Sequence, residues 1–303
     1  MKIAIIDSGL GGLSVCASLA HHLEHSSLPL RTEIKYINAV PEDDLGYNQM
    51  KTRDLKIQTF NRALYGIHRW YHPDFIFVAC NSLSVLIEET LFYRQELLPI
   101  AGMIEIGSSL LLHHLASSPS SGVLLFAAET TIKEDIYAKE LKKNGIAAHR
   151  IVSQSLPGLA TQISNDLPGA AVFEKIRFYT EAVMAAESPF APDFAFLGCT
   201  HYAYRQAMFE QVFADLGFPR MTILNPNEEA AQTIFRKVSK EKGQSSDHPY
   251  LSVEFVSRYS LPLREIETLS HFLSHSPPTV AALKNYTLKP DLFDFDSGEV
   301  CSE

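Results

Sequence analysis

The sequence predicts an α/β protein made of two pseudo-symmetric units with mostly parallel sheets, and three observations lead there. At 303 residues the chain exceeds the usual single domain and suits two units of roughly 100 to 150 residues each. Short apolar runs rich in β-branched and aromatic residues alternate with longer amphipathic stretches, which is the pattern of βα units. One ten-residue segment is also echoed: Pro73–Ser82 reads PDFIFVACNS and Pro192–His201 reads PDFAFLGCTH, as expected of two related units.

Taken in order, the expected strands are Lys2–Ile6, Ile34–Ile37, Phe75–Ala79, Ile100–Ile104, Val123–Ala127, Ala147–Ile151, Phe194–Leu197, Met221–Leu224 and Val253–Val256, with helices between them. Ile57, Phe60, Leu64 and Ile67 form a core-facing helical stripe, and Met208, Val212 and Phe213 form another. Breaker-rich links stand at Ser117–Ser121, Gly217–Arg220 and Lys242–Pro249. After Leu288 the chain turns acidic and turn-rich, and a loosely attached tail is expected.

A formal charge of -9 argues against a broad contact with nucleic acid or anionic lipid, both of which need clustered Lys and Arg. A small-molecule ligand is favoured, and an anionic one stays compatible where backbone N–H groups supply local positive potential. The start, MKIAIID, runs straight into a strand, and no long apolar run follows, so no membrane partner and a cytoplasmic protein are expected. Four Cys without close spacing read as free thiols rather than as a disulfide framework or a zinc pair.

In each copy of the echo the apolar run ends at a cysteine, Cys80 or Cys199, so both thiols fall at the carboxyl ends of parallel strands, where open α/β sheets place ligand crevices. A helix is expected after each, and its N-terminal end would favour a thiolate over an ordinary thiol of pKa ~8.5. A buried strand-end Cys is commonly a small apolar filler. Two in matching register, each followed by two polar residues, argue for function, whereas mid-helix Cys16 and terminal Cys301 do not.

DSGLGGLSV (Asp7–Val15), ACNSLSV (Ala79–Val85) and LGCTHY (Leu197–Tyr202) resemble the three best-known motifs of the glutamate racemases, in the aspartate/glutamate racemase family. Weaker matches at Val123–Leu141, Ile223–Ile234 and the VEFVSRYS segment extend the resemblance from Met1 to about Phe272. It implies two three-layer α/β domains around a central cleft, with the second inserted into the first: 1–98 plus 219–285, then 99–218, with 286–303 as a C-terminal tail. It also implies an isomerase that inverts glutamate without cofactor or metal, supplying D-glutamate for peptidoglycan, and it leaves a homodimer open.

The implied chemistry takes the Cα proton from one face with a thiolate and returns one to the other face from a thiol, so each cysteine must be usable in either state. Cys80 and Cys199 match these two groups, and Asp7 and His201 match the auxiliary groups that adjust them. Ser8, Leu45, Gly46, Asn81, Ser82 and Thr200, with Asp7 and His201, match substrate-binding positions. Gly9, Gly11 and Gly12 are expected to let the backbone turn tightly and approach the ligand.

Three departures stand out. Ala39 occupies the place of a family Asp, Asp44-Leu45-Gly46 replaces Pro-Tyr-Gly with loss of an aromatic hydroxyl, and Ala160 stands where a carboxylate is usual. Glutamate is therefore first among substrates, with aspartate or another amino acid next. A non-catalytic binding protein is the competing class, separated by whether the two thiols flank one carbon atom. A metal or redox role for Cys80, Cys199 and His201 is disfavoured because the C-T-H spacing suits one tetrahedral ion poorly.

Overall fold

The computed structural model describes residues 1–26, 31–41, 46–185, 192–240 and 250–294. Its strands are β1 (Lys2–Asp7), β2 (Arg31–Asn38), β3 (Phe75–Val78), β4 (Ile100–Gly102), β5 (Gly122–Ala127), β6 (Ile151–Ser155), β7 (Pro192–Gly198), β8 (Thr222–Leu224), β9 (Tyr250–Ser257) and β10 (Thr287–Leu288). They form two sheets, ordered β10-β9-β2-β1-β3-β4 and β6-β5-β7-β8, with every pairing parallel.

The order β2-β1-β3-β4 in the first sheet is repeated as β6-β5-β7-β8 in the second. The echoed segments end the equivalent strands β3 and β7, so the sequence self-similarity is a topological equivalence. In each sheet the first strand sends its connection to one side and the third strand lies on the other. The carboxyl ends of β1 and β3, and of β5 and β7, are thus switch points where ligands gather.

Each sheet is covered on both faces, because alternate residues of a strand point to opposite sides. In the first, Ile3, Ile5, Phe75 and Phe77 pack toward the helices Leu13–Glu24 and Pro226–Lys240. Ala4, Ile6, Ile76 and Val78 pack toward Arg53–Tyr71, whose Phe60, Leu64 and Ile67 are the stripe expected from sequence. In the second, Phe126 and Leu197 face Val212 and Phe213, while Leu125 and Phe196 face Leu111 and Leu115. Fully burying one such aromatic or aliphatic side chain stabilises by about 1.5–3 kcal/mol.

Three expectations are corrected. The strand expected at Ala147–Ile151 is a 3-10 turn over Ala148–Arg150, and the strand itself is β6. Arg150 explains the shift: its guanidinium donates to the carbonyls of Leu115 (3.0 Å), Ser118 (2.8 Å) and Ser121 (2.6 Å), so the chain pauses there before pairing. The crossings expected near Leu98 and Phe218 fall later, since Ile100–Gly102 pairs with β3 and Thr222–Leu224 with β7. The Gly217 breaker ends the helix Gln206–Asp215 with a φ of 88° and leads into β8 rather than out of the second sheet.

The third correction concerns the tail. Residues 287–293 are folded: β10 extends the first sheet, Leu292 and Phe293 are buried in the core beneath Arg53–Tyr71, and Gly66 has no room for a Cβ because the Leu292 carbonyl occupies that space. Arg258 donates to the Pro290 carbonyl at 3.2 Å and lies 4.3 Å over the Phe293 ring. Acidic composition concealed these two apolar anchors. The link at Lys242–Pro249 and the segment 295–303 lie outside the described residues.

The two units also clasp each other beside the β3 end. Arg53 pairs with Glu89 of its own unit and with Glu134 of the other. Lys56 donates to Thr130 Oγ1 at 3.2 Å, and Thr130 donates to Asn48 Oδ1 at 2.6 Å.

Candidate functional site

Asp7 ends β1, Cys80 follows β3 and Cys199 follows β7, so the matched residues converge from three strand ends. The Asp7 carboxyl, only 2% exposed, is the hub. Its Oδ2 accepts from Gly12 N–H at 2.5 Å and from Thr200 Oγ1 at 3.0 Å, and its Oδ1 accepts from Ser8 Oγ at 3.5 Å. The Cys80 thiol also reaches it. Ser8 Oγ and Cys80 Sγ share a hydrogen bond at 3.1 Å. One buried carboxyl therefore touches the first cysteine and the residue next to the second.

Thr200 and His201 belong to the second unit yet sit on the glycine turn of the first. A Cβ on Gly11 would overlap Thr200 Oγ1 and His201 Nδ1, and one on Gly12 would lie 2.8 Å from Asp7 Oδ2 and from Ala79 Cβ. Neither glycine has a positive φ. The turn is thus glycine-rich to admit Thr200, His201 and Asp7. Tyr36 and Tyr204 hold it by donating to the carbonyls of Gly9 (2.7 Å) and Leu10 (3.0 Å).

Asn81 and Ser82 are buried behind Cys80. Asn81 Oδ1 accepts from Tyr137 at 2.5 Å, and Ser82 Oγ shares a hydrogen bond with Thr131 Oγ1 at 3.1 Å. Gly46 precedes the 3-10 turn Tyr47–Gln49. Leu45, and with it Asp44, lies outside the described residues. Ala39 is wholly buried and donates its N–H to the Asp7 carbonyl at 2.7 Å. Ala160 lies in the helix Leu159–Asn165.

Four residues join the site without having been singled out from sequence. Thr131 reaches Ser82, and Tyr137 reaches Asn81. Asn227 donates to the Thr200 carbonyl at 3.0 Å and to Ser14 Oγ at 2.6 Å, binding the third motif to the first. Tyr47, packed in the cluster that holds Cys80, has a buried hydroxyl without a hydrogen-bond partner among the described residues. The signal available was Asn-Pro-Asn after a strand for Asn227, and a Tyr adjoining the altered loop for Tyr47.

Burial dominates the electrostatics. The Asp7 carboxyl is pushed up to about 6 by desolvation, against the pull of its hydrogen bonds from Gly12, Thr200, Cys80 and Ser8. His201 is pushed down to about 4 by burial, so its imidazole is neutral at neutral pH. The Cys80 thiol is raised well above its ordinary range by burial and by the Asp7 charge. Cys199 is pushed up to about 12 by burial first and Asp7 second, despite N–H groups of His201 and Tyr202 directed at it.

The helix N-terminal ends expected to favour a thiolate are weak here. The segments after the cysteines are a four-residue helix, Asn81–Ser84, and a 3-10 turn, Thr200–Arg205, too short to build a strong terminal dipole. Among the described residues no Lys or Arg is one of the main groups that shift either thiol. Among the described residues Cys16, Cys80 and Cys199 are all free, no group of three or more His, Cys, Asp or Glu is arranged to hold a metal ion, and no helix is long and apolar enough to cross a membrane.

The opposed shifts of Asp7 and His201 make a pH prediction. Asp7, raised from 3.8 to about 6, gives stability that is complete below 3.8 and lost as pH rises through 6. His201, lowered from 6.5 to about 4, gives stability that is present above 6.5 and lost as pH falls through 4. Between pH 4 and 6 these slopes oppose one another. Relative to wild type, Asp7→Asn is expected to gain stability as pH rises across that window, by about 3 kcal/mol in its pH-dependent part. His201→Gln is expected to gain as pH falls. Urea unfolding at pH 4 to 7 checks both, and curves parallel to wild type would contradict them.

Comparison with known proteins agrees with the motifs. The sequence is 27% identical over 217 residues to the glutamate racemase of Helicobacter acinonychis, covering 71% of this chain and 77% of that one. It is 25% identical over 260 residues to that of Helicobacter pylori strain G27, covering 84% and 92%. No family model matches the sequence. Among solved structures, the fold is that of glutamate racemase isoform RacE1 from Bacillus anthracis, with a TM-score of 0.70, 22% identity and coverage of 90% and 94%. The Francisella tularensis glutamate racemase, solved in complex with D-glutamate, gives a TM-score of 0.70, 21% identity and coverage of 90% and 93%.

Proposed function

We propose that this chain, a relative of the glutamate racemases with their fold, is a cofactor-independent amino-acid isomerase that interconverts L- and D-glutamate through Cys80 and Cys199. The observation that carries the reading is the topological equivalence of the two cysteines, each ending the third strand of its unit, with the Asp7 carboxyl acting on both.

Inversion at Cα needs one group to remove a proton and another on the opposite face to deliver one. Two thiols at equivalent strand ends meet that need, one as thiolate and one as thiol, with roles exchanged for the other enantiomer. Burial and the Asp7 charge push both thiols up, and among the described residues no Lys or Arg is one of the main groups that offset this. The substrate's own ammonium group is the missing positive charge. A zwitterion bound between the thiols lowers the cost of the thiolate it requires, and an opposite charge within about 4–6 Å is the ordinary means of doing so.

Asp7 and Ser8 adjust Cys80, Thr200 and His201 adjust Cys199, and Asn81, Ser82, Thr131, Tyr47 and Gly46 line the carboxylate-binding side. Hydroxyls and amides hold the substrate without competing charges, so orientation rather than ion pairing places Cα. Glutamate is first because the curated relatives with the matching motifs are glutamate racemases. The product then supplies D-glutamate for peptidoglycan in the cytoplasm. The test is the appearance of D-glutamate from L-glutamate, with aspartate and neutral amino acids run in parallel. Turnover of aspartate alone would move the substrate assignment, and turnover of none would refute the reading.

A further inference from the structure

We infer that Tyr137 is a positioning residue that crosses from the second unit to set the Asn81 amide, so that its Nδ2 points a hydrogen-bond donor at a substrate carboxylate beside Cys80. This rests on the reading of the cleft as an amino-acid isomerase site.

The geometry is built from both sides. Tyr137 lies in the helix Ile136–Lys143 and is 3% exposed. Its hydroxyl donates to Asn81 Oδ1 at 2.5 Å, with the Met103 carbonyl further off at 3.4 Å. Its ring packs edge-on against Phe196 of β7, centroid to centroid 4.8 Å. Gly107 supplies the socket, since a Cβ there would stand 2.7 Å from the phenol oxygen and 2.8 Å from Phe196. The phenol is thus fixed by packing before it meets Asn81.

The consequence lies on the other end of the amide. Once Oδ1 is taken by the phenol, Nδ2 is the free end, and it is buried without a partner among the described residues. A buried amide N–H₂ left unmade costs roughly 1–3 kcal/mol, which a ligand acceptor recovers. Asn81 directly follows Cys80, so an acceptor on Nδ2 is held next to the thiol. Because the phenol belongs to one unit and the amide to the other, the donor is correctly set only while the two units are together.

Tyr137→Phe removes only the hydroxyl. It is expected to lower kcat/KM for the turned-over amino acid about 10-fold, chiefly through KM, because the interaction binds ground and transition states alike. Asn81→Ala is expected to lower it about 100-fold, and the double variant to be no worse than Asn81→Ala alone, since the phenol acts through the amide. Gly107→Ala, which crowds the phenol, should reproduce the Tyr137→Phe loss.

A double variant showing the product of the two losses, or an unchanged kcat/KM in Tyr137→Phe, would overturn the inference. A second readout does not depend on turnover. The side-chain amide ¹⁵N resonance of Asn81, identified by its disappearance in Asn81→Ala, should shift in Tyr137→Phe. A resonance that stays in place overturns the positioning role. A resonance that shifts in an enzyme turning over no amino acid keeps the contact and refutes the isomerase reading instead.

Discussion

Serine in place of Cys80, and separately in place of Cys199, is expected to cut racemisation at least about 10³-fold in both directions, within the range ascribed to a positioned acid or base. The reason is chemical rather than steric. Serine keeps nearly the volume of the side chain, but its hydroxyl is a far weaker acid than a thiol and does not supply the anion that removes a Cα proton. Losing either group blocks both directions, because each direction uses one cysteine as base and the other as acid. The two variants should nevertheless differ. Each retains the base for one enantiomer, so each is expected to exchange Cα hydrogen of that enantiomer with solvent without inverting it, and the two should retain opposite enantiomers. Proton NMR in D₂O distinguishes them. A single variant that racemises at the wild-type rate would show that its cysteine is not one of the two groups.

Gly11→Ala is expected to have the next largest effect. The added Cβ overlaps Thr200 Oγ1 and His201 Nδ1, so the second unit's motif is pushed off the turn that carries Asp7. Overpacking of a tight contact costs about 1–3 kcal/mol, and loss of the Thr200 to Asp7 hydrogen bond in a buried site adds roughly 1–3 kcal/mol more. Unfolding free energy should fall by about 2–6 kcal/mol on these figures. Activity should fall about 10²-fold, as expected when a reacting group is displaced by an ångström. Gly145→Ala is the control. Gly145 has a φ of 85° and open space around its Cβ position, so only backbone strain of about 1 kcal/mol is added and activity should be unchanged. Equal effects at the two glycines would show that docking of Thr200 and His201 on Gly11 is unimportant.

Much of this architecture was legible in the sequence because it rests on local pattern. The strands β1, β5 and β7 and the stripe of the helix Arg53–Tyr71 follow from periodicity alone. The equivalence of Cys80 and Cys199 was visible as an echo because both strands serve the same place in a repeated topology. Features that rest on distant contacts were not legible. Asn227 bonds Ser14 across 213 positions, and Tyr137 bonds Asn81 across 56. Nothing local to either residue announces its partner.

Burial was equally hidden. The helix expected after each cysteine suggested an easier thiolate, yet desolvation and the Asp7 carboxyl, which depend on packing of distant segments, push both thiols up. Residues 287–293 misled for a related reason. Their charged neighbours dominate the composition, while Leu292 and Phe293 bury the segment in the core and β10 pairs it to the sheet.

The central claim is that Cys80 and Cys199 face one carbon atom from opposite sides. Deuterium wash-in at Cα, followed from L-glutamate and from D-glutamate with the wild-type protein in D₂O at early turnover, tests it most directly. Two facing groups predict that the product enantiomer carries solvent deuterium at Cα while the remaining substrate keeps its protium, in both directions. Deuterium entering substrate and product alike from the first turnovers, or entering neither, would contradict it.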